Sequence, residues 1–287
     1  MLVELEGTFV KKGEYEDNRP KYYLDKDQCI ATESIEIHVT EHCNLKCRDC
    51  CNMSPFNPKT LMSLEEVRHI CNFVKLNFKP NMFKICGGEP TLHPQIDEIL
   101  RIIKQSEVSD ILKVITNGLL LFKMSDTFWQ LIDQLTISNY ISAPIRPKLL
   151  ETIKEKAKQF DVILNIKYVE QFNEIFVEDA IQDKELTQNI YNDCWMRHVC
   201  LIIRNGYFHK CTRSAYMDKN LQLVNKRFEL GNSTFTYSDG IALNDPEFKE
   251  KALRYLNNTT PLNSCKHCLG VSGNLRPNIQ LKIPSRN

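Results

Sequence analysis

The chain has 287 residues, of which 42% are hydrophobic and 25% charged, a composition typical of a globular protein that buries a core. Its formal net charge of +1 gives no electrostatic reason to expect nucleic acid or an anionic membrane as a partner. The sequence contains no apolar run of about 18 residues that could span a membrane, and residues 1–17 lack a secretory signal pattern. We therefore expect a cytoplasmic protein.

Strands and helices alternate along the chain between residues 34 and 169. Alternating apolar and polar residues predict strands at 34–40, 82–86, 111–116, 134–138 and 161–169. Apolar residues at helical spacing predict helices at 63–77, 93–105, 125–132 and 146–160. Ser63 and Glu66 form a capping box at the start of the first helix, and Pro94 lies in the first turn of the second.

This alternation indicates a parallel sheet, because parallel strands need crossover connections that are usually helical and right-handed. We predict an α/β fold, a partial (β/α)6 barrel of the TIM type. In such barrels the loops after the strands carry function. The cysteine-rich segment 41–51, "GGEP" at 87–90, "TNG" at 116–118 and "SNY" at 138–140 each follow a predicted strand. We therefore expect these four segments to meet on one face.

The pattern changes beyond about residue 185. Residues 200–211 predict a hairpin around an Asn-Gly turn, and residues 245–256 predict a helix that Asp245 caps and Pro246 opens. We divide the chain into an N-terminal extension at 1–34, a partial barrel at 35–185 and a small hairpin-plus-helix module at 186–287.

Nine of the twelve cysteines fall into two groups. In a cytosolic protein thiols stay reduced, so grouped cysteines more often hold a metal than form disulfides. The first group follows the first predicted strand: Cys43, Cys47, Cys50 and Cys51. The second lies in the C-terminal module: Cys194, Cys200, Cys211, Cys265 and Cys268.

Cys43, Cys47 and Cys50 have the spacing C-x3-C-x2-C. Structural zinc takes four ligands, whereas a four-iron cluster held by three thiolates keeps one iron open for a further ligand. The residues alone leave a second interpretation, a structural zinc loop beside an unrelated glycine turn. That turn would not explain why "GGEP" follows a strand 36 residues downstream of Cys50.

The cysteine motif, followed by "GGEP" after the second strand, resembles the radical S-adenosylmethionine (radical SAM) superfamily over roughly residues 35–170. The resemblance implies that Cys43, Cys47 and Cys50 ligate a [4Fe–4S] cluster whose open iron is chelated by SAM. One electron then breaks the sulfonium C–S bond, and a 5′-deoxyadenosyl radical abstracts hydrogen from the substrate. An external one-electron donor such as flavodoxin or ferredoxin is also implied. The residues assigned to SAM binding are Gly87, Gly88, Glu89, Pro90, Thr116, Asn117 and Ser138.

Two of these assignments concern particular parts of SAM. The Glu89 carboxylate matches the methionine ammonium group through charge-assisted hydrogen bonds. Relatives often carry an aromatic residue just before the third cysteine, near the adenine. Here that residue is Asp49, so the adenine contact has no assigned residue.

The second cysteine group resembles the twitch module, a shorter relative of the SPASM domain. This resemblance implies a second, auxiliary [4Fe–4S] cluster held by Cys194, Cys211, Cys265 and Cys268. Cys200 fits the spacing less well and is either a ligand or a free thiol, and His267 is expected to face solvent. A zinc ribbon built from the same residues is the alternative.

The twitch arrangement resembles that of an aminoglycoside-pathway alcohol dehydrogenase that oxidises a cyclitol hydroxyl to a ketone. We therefore expect an oxidoreductase acting on a small molecule (a sugar, cyclitol or nucleotide sugar), with the auxiliary cluster accepting an electron. Many peptide-modifying relatives carry a leader-binding module before the first strand. Residues 1–33 offer no space for one, which favours a small substrate.

Two other functions remain open at this point. A peptide maturase, either an epimerase or a cross-linking enzyme, is the first, and an epimerase needs a thiol hydrogen donor. The second is a zinc-stabilised binding protein without enzymatic activity. The seven histidines offer no clear acid–base pair, so no catalytic base is assigned. The candidate hydrogen donors are the thiols that neither cluster needs: Cys51, Cys86 and Cys200.

Overall fold

In the computed structural model, residues 22–177, 179–217 and 239–282 are described. The strands of these ranges are β1 (Ile30–Thr40), β2 (Phe78–Gly87), β3 (Ile111–Thr116), β4 (Gln134–Tyr140), β5 (Ile163–Val169), β6 (Gln171–Asn173), β7 (Ile202–Arg204), β8 (Tyr207–His209), β9 (Ile241–Ala242) and β10 (Leu275–Pro277). The helices with fully described bounds are α1 (Leu64–Asn77), α2 (Ile96–Ser106), α3 (Asp126–Leu131), α4 (Pro147–Gln159), α5 (Lys184–Asp193), α6 (Met196–Val199) and α7 (Phe248–Asn257).

The main sheet has the strand order β5-β4-β3-β2-β1-β7-β8-β9. Strands β1 to β5 and β7 are parallel, whereas β8 and β9 continue the sheet antiparallel. The predicted α/β fold with a parallel, partial-barrel sheet is confirmed. Its sixth parallel strand is β7 of the predicted hairpin, which pairs with β1. The sheet thus continues across residue 185, and the division into three domains stays a prediction.

Strand β1 shows how alternation distributes side chains between the two faces of the sheet. Its odd-numbered residues from Ile35 to Val39 are buried in one apolar core together with Val67 and Val74 of α1. Each such side chain contributes roughly 1.5–3 kcal/mol when fully buried. The even-numbered residues from Glu36 to Thr40 point the other way. Helices therefore cover one face, and the opposite face is polar.

This polar face continues across the parallel strands, because the printed register places its residues side by side. The term "polar face" hereafter means the following side chains: Glu36, His38 and Thr40 of β1, Lys84 and Cys86 of β2, Lys113 of β3, Thr136 and Ser138 of β4, and Asn165 and Lys167 of β5.

Two helix starts differ from the sequence predictions. Helix α2 begins at Ile96 instead of residue 93, because His93 lies in the preceding turn, where its Nδ1 accepts the Gln95 N–H at 3.1 Å. Helix α7 begins at Phe248 with Glu247 as N-cap. Asp245 accepts the Glu247 N–H at 2.9 Å and so forms a turn before the helix. The Ser63 cap of α1 is confirmed, since its side chain accepts the Glu66 N–H.

None of the helices in the described ranges combines the length and the apolar composition that crossing a membrane requires.

Candidate functional site

The "GGEP" loop lies directly against the start of the cysteine loop. The Gly88 N–H donates to the Thr40 carbonyl at 2.7 Å, and the Glu89 N–H donates to the His42 carbonyl at 3.0 Å. A Cβ on Gly88 would lie 2.0 Å from the His42 carbonyl oxygen and 2.9 Å from the Cys43 nitrogen. Glycine is therefore required at position 88 by the packing of the two loops on each other.

Glu89 joins the "GGEP" loop to the "TNG" loop. Its side chain is 1% exposed. Oε1 accepts the Thr91 N–H (3.1 Å) and the hydroxyls of Thr91 and Thr116 (both 2.6 Å), while Oε2 accepts the Asn117 N–H at 2.8 Å. Burial raises the pKa of this carboxyl, and the hydrogen bonds oppose that shift. Both oxygens thus bind protein donors, and the assignment of Glu89 to the SAM ammonium group stays a prediction.

The "TNG" loop also reaches the cysteine loop. Asn117 Nδ2 donates to Asn44 Oδ1 at 2.7 Å and lies 3.7 Å from the Cys43 sulfur. From the next strand comes Tyr140: burial raises the pKa of its hydroxyl, and the charges of the nearby Cys50 and then Cys47 raise it further. The structure thus brings together the four loops that follow β1, β2, β3 and β4.

Two thiols of the C-x3-C-x2-C motif have N–H donors near them. The Leu45 N–H lies 3.3 Å from the Cys43 sulfur, and Gln280 Nε2 lies 3.2 Å from the Cys47 sulfur. Burial first, then the Glu89 charge and the other two motif thiols, raise the pKa of Cys43 to about 12. Thiols with N–H donors, as at Cys43 and Cys47, fit an iron–sulfur cluster, whose sulfur ligands accept such hydrogen bonds.

Within the described ranges no three side chains of the His, Cys, Asp and Glu types are already gathered into a metal site. The assignment of Cys43, Cys47 and Cys50 as iron ligands therefore stays a prediction.

A C-terminal segment, residues 275–281, holds the cysteine loop from outside. It pairs with β6 through β10 and then runs along residues 46–48. The Leu281 N–H donates to the Lys46 carbonyl (2.7 Å), and the Arg48 N–H donates to the Ile279 carbonyl (3.0 Å). Gln280 Oε1 accepts the Lys46 N–H at 2.6 Å. No local sequence pattern indicates this contact, which joins residues 233 positions apart.

The second cysteine group is also brought together. Cys194 ends α5, Cys211 follows β8, and Cys265 and Cys268 flank one short turn. Burial raises the pKa of Cys211 well above its usual range, and charges on Cys194, Cys268 and then Cys200 raise it further. The Gly270 N–H lies 3.4 Å from the Cys268 sulfur. The four predicted ligands and Cys200 therefore lie near one another, and the choice among the five stays a prediction.

His267 does not face solvent, contrary to the sequence expectation. It is 5% exposed, its ring stacks on Phe176 at a centroid distance of 6.2 Å, and its Nδ1 lies 3.2 Å from the Val177 carbonyl oxygen. The short turn at 263–267 points it into the protein because Asp239 accepts the N–H groups of Asn263 and Ser264.

The polar face carries a buried ionic network that sequence reasoning missed. Lys84 Nζ lies 3.1 Å from Glu36 Oε2 and donates to the Val199 carbonyl at 2.5 Å. Burial favours the neutral form of Glu36, but the Lys84 charge, the contacts with His38 and the Thr212 hydrogen bond together outweigh burial and lower the carboxyl pKa. His38 lies 2.6 Å from the Tyr216 hydroxyl through Nδ1 and 3.5 Å from Glu36 through Nε2. The signal was present as the alternation in "IEIHVT", which places polar side chains on one buried face.

The three thiols named as possible hydrogen donors meet at this network. Burial raises the pKa of Cys86, and the charges of Glu36, Cys200 and Cys51 raise it further. Burial likewise raises the pKa of Cys200, to about 12, and among the neighbouring charges that of Glu36 contributes most to the rise. The Glu36 charge thus acts on all three thiols, Cys51, Cys86 and Cys200.

Asp49 lies beside arginines, 3.4 Å from Arg48 and 3.9 Å from Arg276. The aromatic residues near the motif come instead from elsewhere in the chain. Tyr140, at the end of β4, packs on Phe172 of β6 with ring centroids 5.7 Å apart. Because Tyr140 also lies close to Cys50, this pair supplies an aromatic surface near the motif that the sequence order did not indicate.

Comparison with known proteins agrees with this geometry. Residues 37–169 match the family model described as the radical SAM superfamily. The crystal structure of BtrN in complex with AdoMet and 2-DOIA superposes with a TM-score of 0.51 at 14% identity, covering 84% of this chain and 94% of that one. At this identity the likeness shows a shared fold.

Among curated proteins, the GTP 3′,8-cyclase of Microcystis aeruginosa is 29% identical over 102 residues, which is 33% of this chain and 30% of that protein. A probable GTP 3′,8-cyclase of Methanococcus maripaludis is 39% identical over 92 residues, 31% of this chain and 30% of that protein. This chain therefore aligns with about 30% of the length of these relatives.

The fold and the site define a partial α/β barrel with a cysteine motif at the carboxyl ends of its parallel strands. Residues 37–169 of the chain form a radical SAM domain. Such a domain implies SAM and a [4Fe–4S] cluster as cofactors.

Proposed function

We propose that this chain is a radical SAM oxidoreductase that removes hydrogen from a small molecule such as a sugar, cyclitol or nucleotide sugar. When bound by Cys43, Cys47 and Cys50, the first cluster and SAM supply a 5′-deoxyadenosyl radical. An auxiliary [4Fe–4S] cluster on Cys194, Cys211, Cys265 and Cys268 supplies an acceptor for the electron that a net oxidation releases. An external flavodoxin or ferredoxin delivers the first electron.

One observation supports this proposal: the polar face has contacts next to both cysteine groups. Its Glu36 accepts the hydroxyl of Thr212, the residue after Cys211, and the hydroxyl of its Thr40 lies 2.8 Å from Nδ1 of His42, the residue before Cys43. The Glu36 charge also acts on the thiols of Cys51, Cys86 and Cys200. A substrate on the polar face would contact both groups. The BtrN likeness supports the proposal further, since it covers most of both chains and BtrN was crystallised with AdoMet and a second small molecule.

The residues of the chain have distinct parts in this proposal. Glu89 fixes the "GGEP" and "TNG" loops against each other, and Gln280 holds the cysteine loop. Oxidation of a hydroxyl to a carbonyl also releases a proton. We assign this proton to His38 on the polar face, whose ring is oriented by the contact of its Nδ1 with the Tyr216 hydroxyl.

The first experiment counts iron and sulfide on anaerobically reconstituted protein. About eight irons per chain are expected, and about four in a Cys265→Ala/Cys268→Ala variant, since each cluster holds four. The matched control is Cys29→Ala, whose thiol lies outside both groups. Four irons in the wild type, or zinc in place of iron, would contradict the auxiliary cluster.

The second experiment measures 5′-deoxyadenosine and product separately. The Cys43→Ala variant is expected to form no 5′-deoxyadenosine from SAM and dithionite. The Cys265→Ala/Cys268→Ala variant is expected to cleave SAM but to give no product lighter by two hydrogens from a panel of cyclitols, sugars and nucleotide sugars. Full product formation by that variant would refute the electron-acceptor role.

A peptide maturase is the second candidate, because the cluster of Cys51, Cys86 and Cys200 provides thiols beside the polar face. An epimerase would return a hydrogen atom from one of them. Solvent deuterium in unoxidised product, lost in Cys86→Ala or Cys200→Ala, would favour this function over dehydrogenation.

A further inference from the structure

Arg213 is a buried arginine two residues after Cys211, one of the four ligands predicted for the auxiliary cluster. The residue is 8% exposed. Its Nη1 lies 3.8 Å from the Cys268 sulfur and donates to the Gly270 carbonyl. Because arginine stays protonated in proteins, a full positive charge lies beside a second predicted ligand of the same cluster.

The Gly270 loop, which accepts the Arg213 hydrogen bond, packs on two of the predicted ligands. The Gly270 N–H lies 3.4 Å from the Cys268 sulfur. A Cβ on Gly270 would lie 3.5 Å from the Cβ of Cys194. The guanidinium of Arg213 is therefore fixed to a loop that contacts both Cys194 and Cys268.

The backbone before and after Arg213 is also held in place. The Ser214 hydroxyl and the Ala215 N–H both donate to the Cys211 carbonyl, at 2.7 and 3.3 Å. On the other side of Arg213, the Thr212 hydroxyl donates to Glu36 of the polar face. Two consecutive side chains thus connect the polar face, where the substrate is proposed to bind, with the auxiliary cysteines.

One N–H group of Arg213 lacks an acceptor. Among the described residues, its buried Nε has no hydrogen-bond partner. Leaving a buried donor of a charged group unpaired is unfavourable. An iron–sulfur cluster supplies the missing acceptors, because its sulfurs accept hydrogen bonds from the protein. The side chain of Arg213 therefore fits a cluster on the cysteines around it.

The first cysteine group has donors of a different kind. The Leu45 N–H lies near the Cys43 sulfur, and the side-chain amide of Gln280 lies near the Cys47 sulfur. The side-chain amide of Asn117 is 3.7 Å from Cys43. These three donors are neutral amides, whereas Arg213 carries a charge. The N–H donors of the two groups thus differ by one positive charge.

We propose that Arg213 raises the reduction potential of the auxiliary cluster. This inference rests on the proposed function, because it concerns the electron acceptor of that proposal. An oxidised [4Fe–4S] core carries two positive charges, so a cluster on four thiolates is a dianion and becomes a trianion when it accepts an electron. A buried cation beside it stabilises the trianion more than the dianion, and net charge and hydrogen bonds to the sulfurs set the potential.

The step that Arg213 assists transfers one electron. The substrate radical left by hydrogen abstraction loses an electron and the hydroxyl proton, and it becomes the carbonyl compound. The auxiliary cluster gains the electron and passes from its oxidised to its reduced state, while His38 takes the proton. Arg213 keeps its own proton throughout, so its effect on this step is electrostatic.

The test is an EPR-monitored redox titration of anaerobically reconstituted full-length protein. SAM binds the open iron of the first cluster and changes its signal, whereas the auxiliary cluster has four protein ligands and keeps its signal. The potential of each cluster is therefore measured in the same sample.

Arg213→Gln keeps N–H donors but removes the charge. We expect it to shift the equilibrium of the auxiliary cluster at least tenfold toward the oxidised state, which is about 59 mV for a one-electron couple. Arg213→Lys keeps the charge and should shift this equilibrium less than tenfold. The control is Arg254→Gln on α7, whose side chain is 69% exposed. It should change neither potential, and the potential of the first cluster should stay unchanged in all variants.

An iron count on each variant shows whether both clusters are present, at about eight irons per chain. An Arg213→Gln variant with both clusters and an unchanged auxiliary potential would overturn the inference. So would an equal shift in Arg254→Gln. If Arg213→Gln assembles a single cluster, Arg213→Lys decides: a shift below tenfold supports the inference, and a larger shift toward the oxidised state overturns it.

The same measurements separate this inference from the proposed function. A wild type with about four irons rejects both, because no auxiliary cluster is then present. Two clusters with an unchanged potential in Arg213→Gln reject the role of Arg213 alone. The expected shift, combined with full product formation by the Cys265→Ala/Cys268→Ala variant, rejects the electron-acceptor function alone.

Discussion

Replacing Glu89 by alanine should destabilise the folded chain strongly, even before any cofactor binds. The substitution removes all four hydrogen bonds that the carboxylate accepts. The hydroxyls of Thr91 and Thr116 can turn to other acceptors. The buried N–H groups of Thr91 and Asn117 cannot, and each unsatisfied group costs about 1–3 kcal/mol. We therefore expect a loss of about 2–6 kcal/mol of unfolding free energy.

The assay is urea unfolding of the metal-free protein, followed by circular dichroism and by tryptophan fluorescence. Agreement of the two probes would justify a two-state analysis. The matched control is Glu155→Ala, which removes an exposed carboxylate from α4 and should change stability by less than about 0.5 kcal/mol. A Glu89→Ala variant as stable as this control would refute the reasoning. It would show that the carboxylate is available for a ligand and does not hold the two loops together.

Three further predictions concern the "GGEP" loop, the contact of Gln280 with the cysteine loop, and Lys113 of the polar face. Gly88→Ala should cost at least about 3 kcal/mol because its Cβ would lie 2.0 Å from a backbone oxygen. Gly206→Ala is the control, because a Cβ there meets open space and only the φ of +77° is unfavourable. It should cost about 1–2 kcal/mol of unfolding free energy in urea. Equal losses of unfolding free energy in the two variants would contradict the packing argument at Gly88. Gln280→Leu should lower the reduction potential of the cluster on the first motif, since it removes an N–H donor from Cys47; an unchanged potential in an EPR-monitored titration would oppose this. Lys113 has its pKa lowered from 10.5 to about 8 in the folded chain. The unfolded state therefore binds more protons between these values, and stability rises with pH across that window. Lys113→Met should flatten this rise in unfolding free energies measured from pH 7 to 10.5.

The sequence was sufficient to predict the parallel barrel because its strands and helices carry strong, regular patterns. The start of strand β2 was not predicted by such a pattern. It begins at Phe78, four residues before the predicted start, and includes Pro80, a residue that argues against a central strand. β3 pairs with β2 only from Met82 to Ile85. The first residues of β2 thus form an edge with room for proline.

The candidate site was predictable to the extent that its residues lie in short motifs. The motif thiols, the "GGEP" loop and the "TNG" loop each follow a strand, and the parallel topology brings them together. Gln280 and the lysines of the polar face were not predicted. Gln280 acts on a sulfur 233 residues away, and Lys113 lies near Lys167 only once the sheet has curved. Contacts of this kind depend on tertiary geometry and leave no local pattern.

The contact between residues 275–281 and the cysteine loop has a consequence for biosynthesis. Ribosomes add about 5–20 residues per second, so the 233 residues between Cys47 and Gln280 take roughly 12–47 s to make. During that interval the loop emerges without the segment that later holds it. The N–H donor of Gln280 therefore reaches Cys47 only when synthesis of the chain is nearly complete.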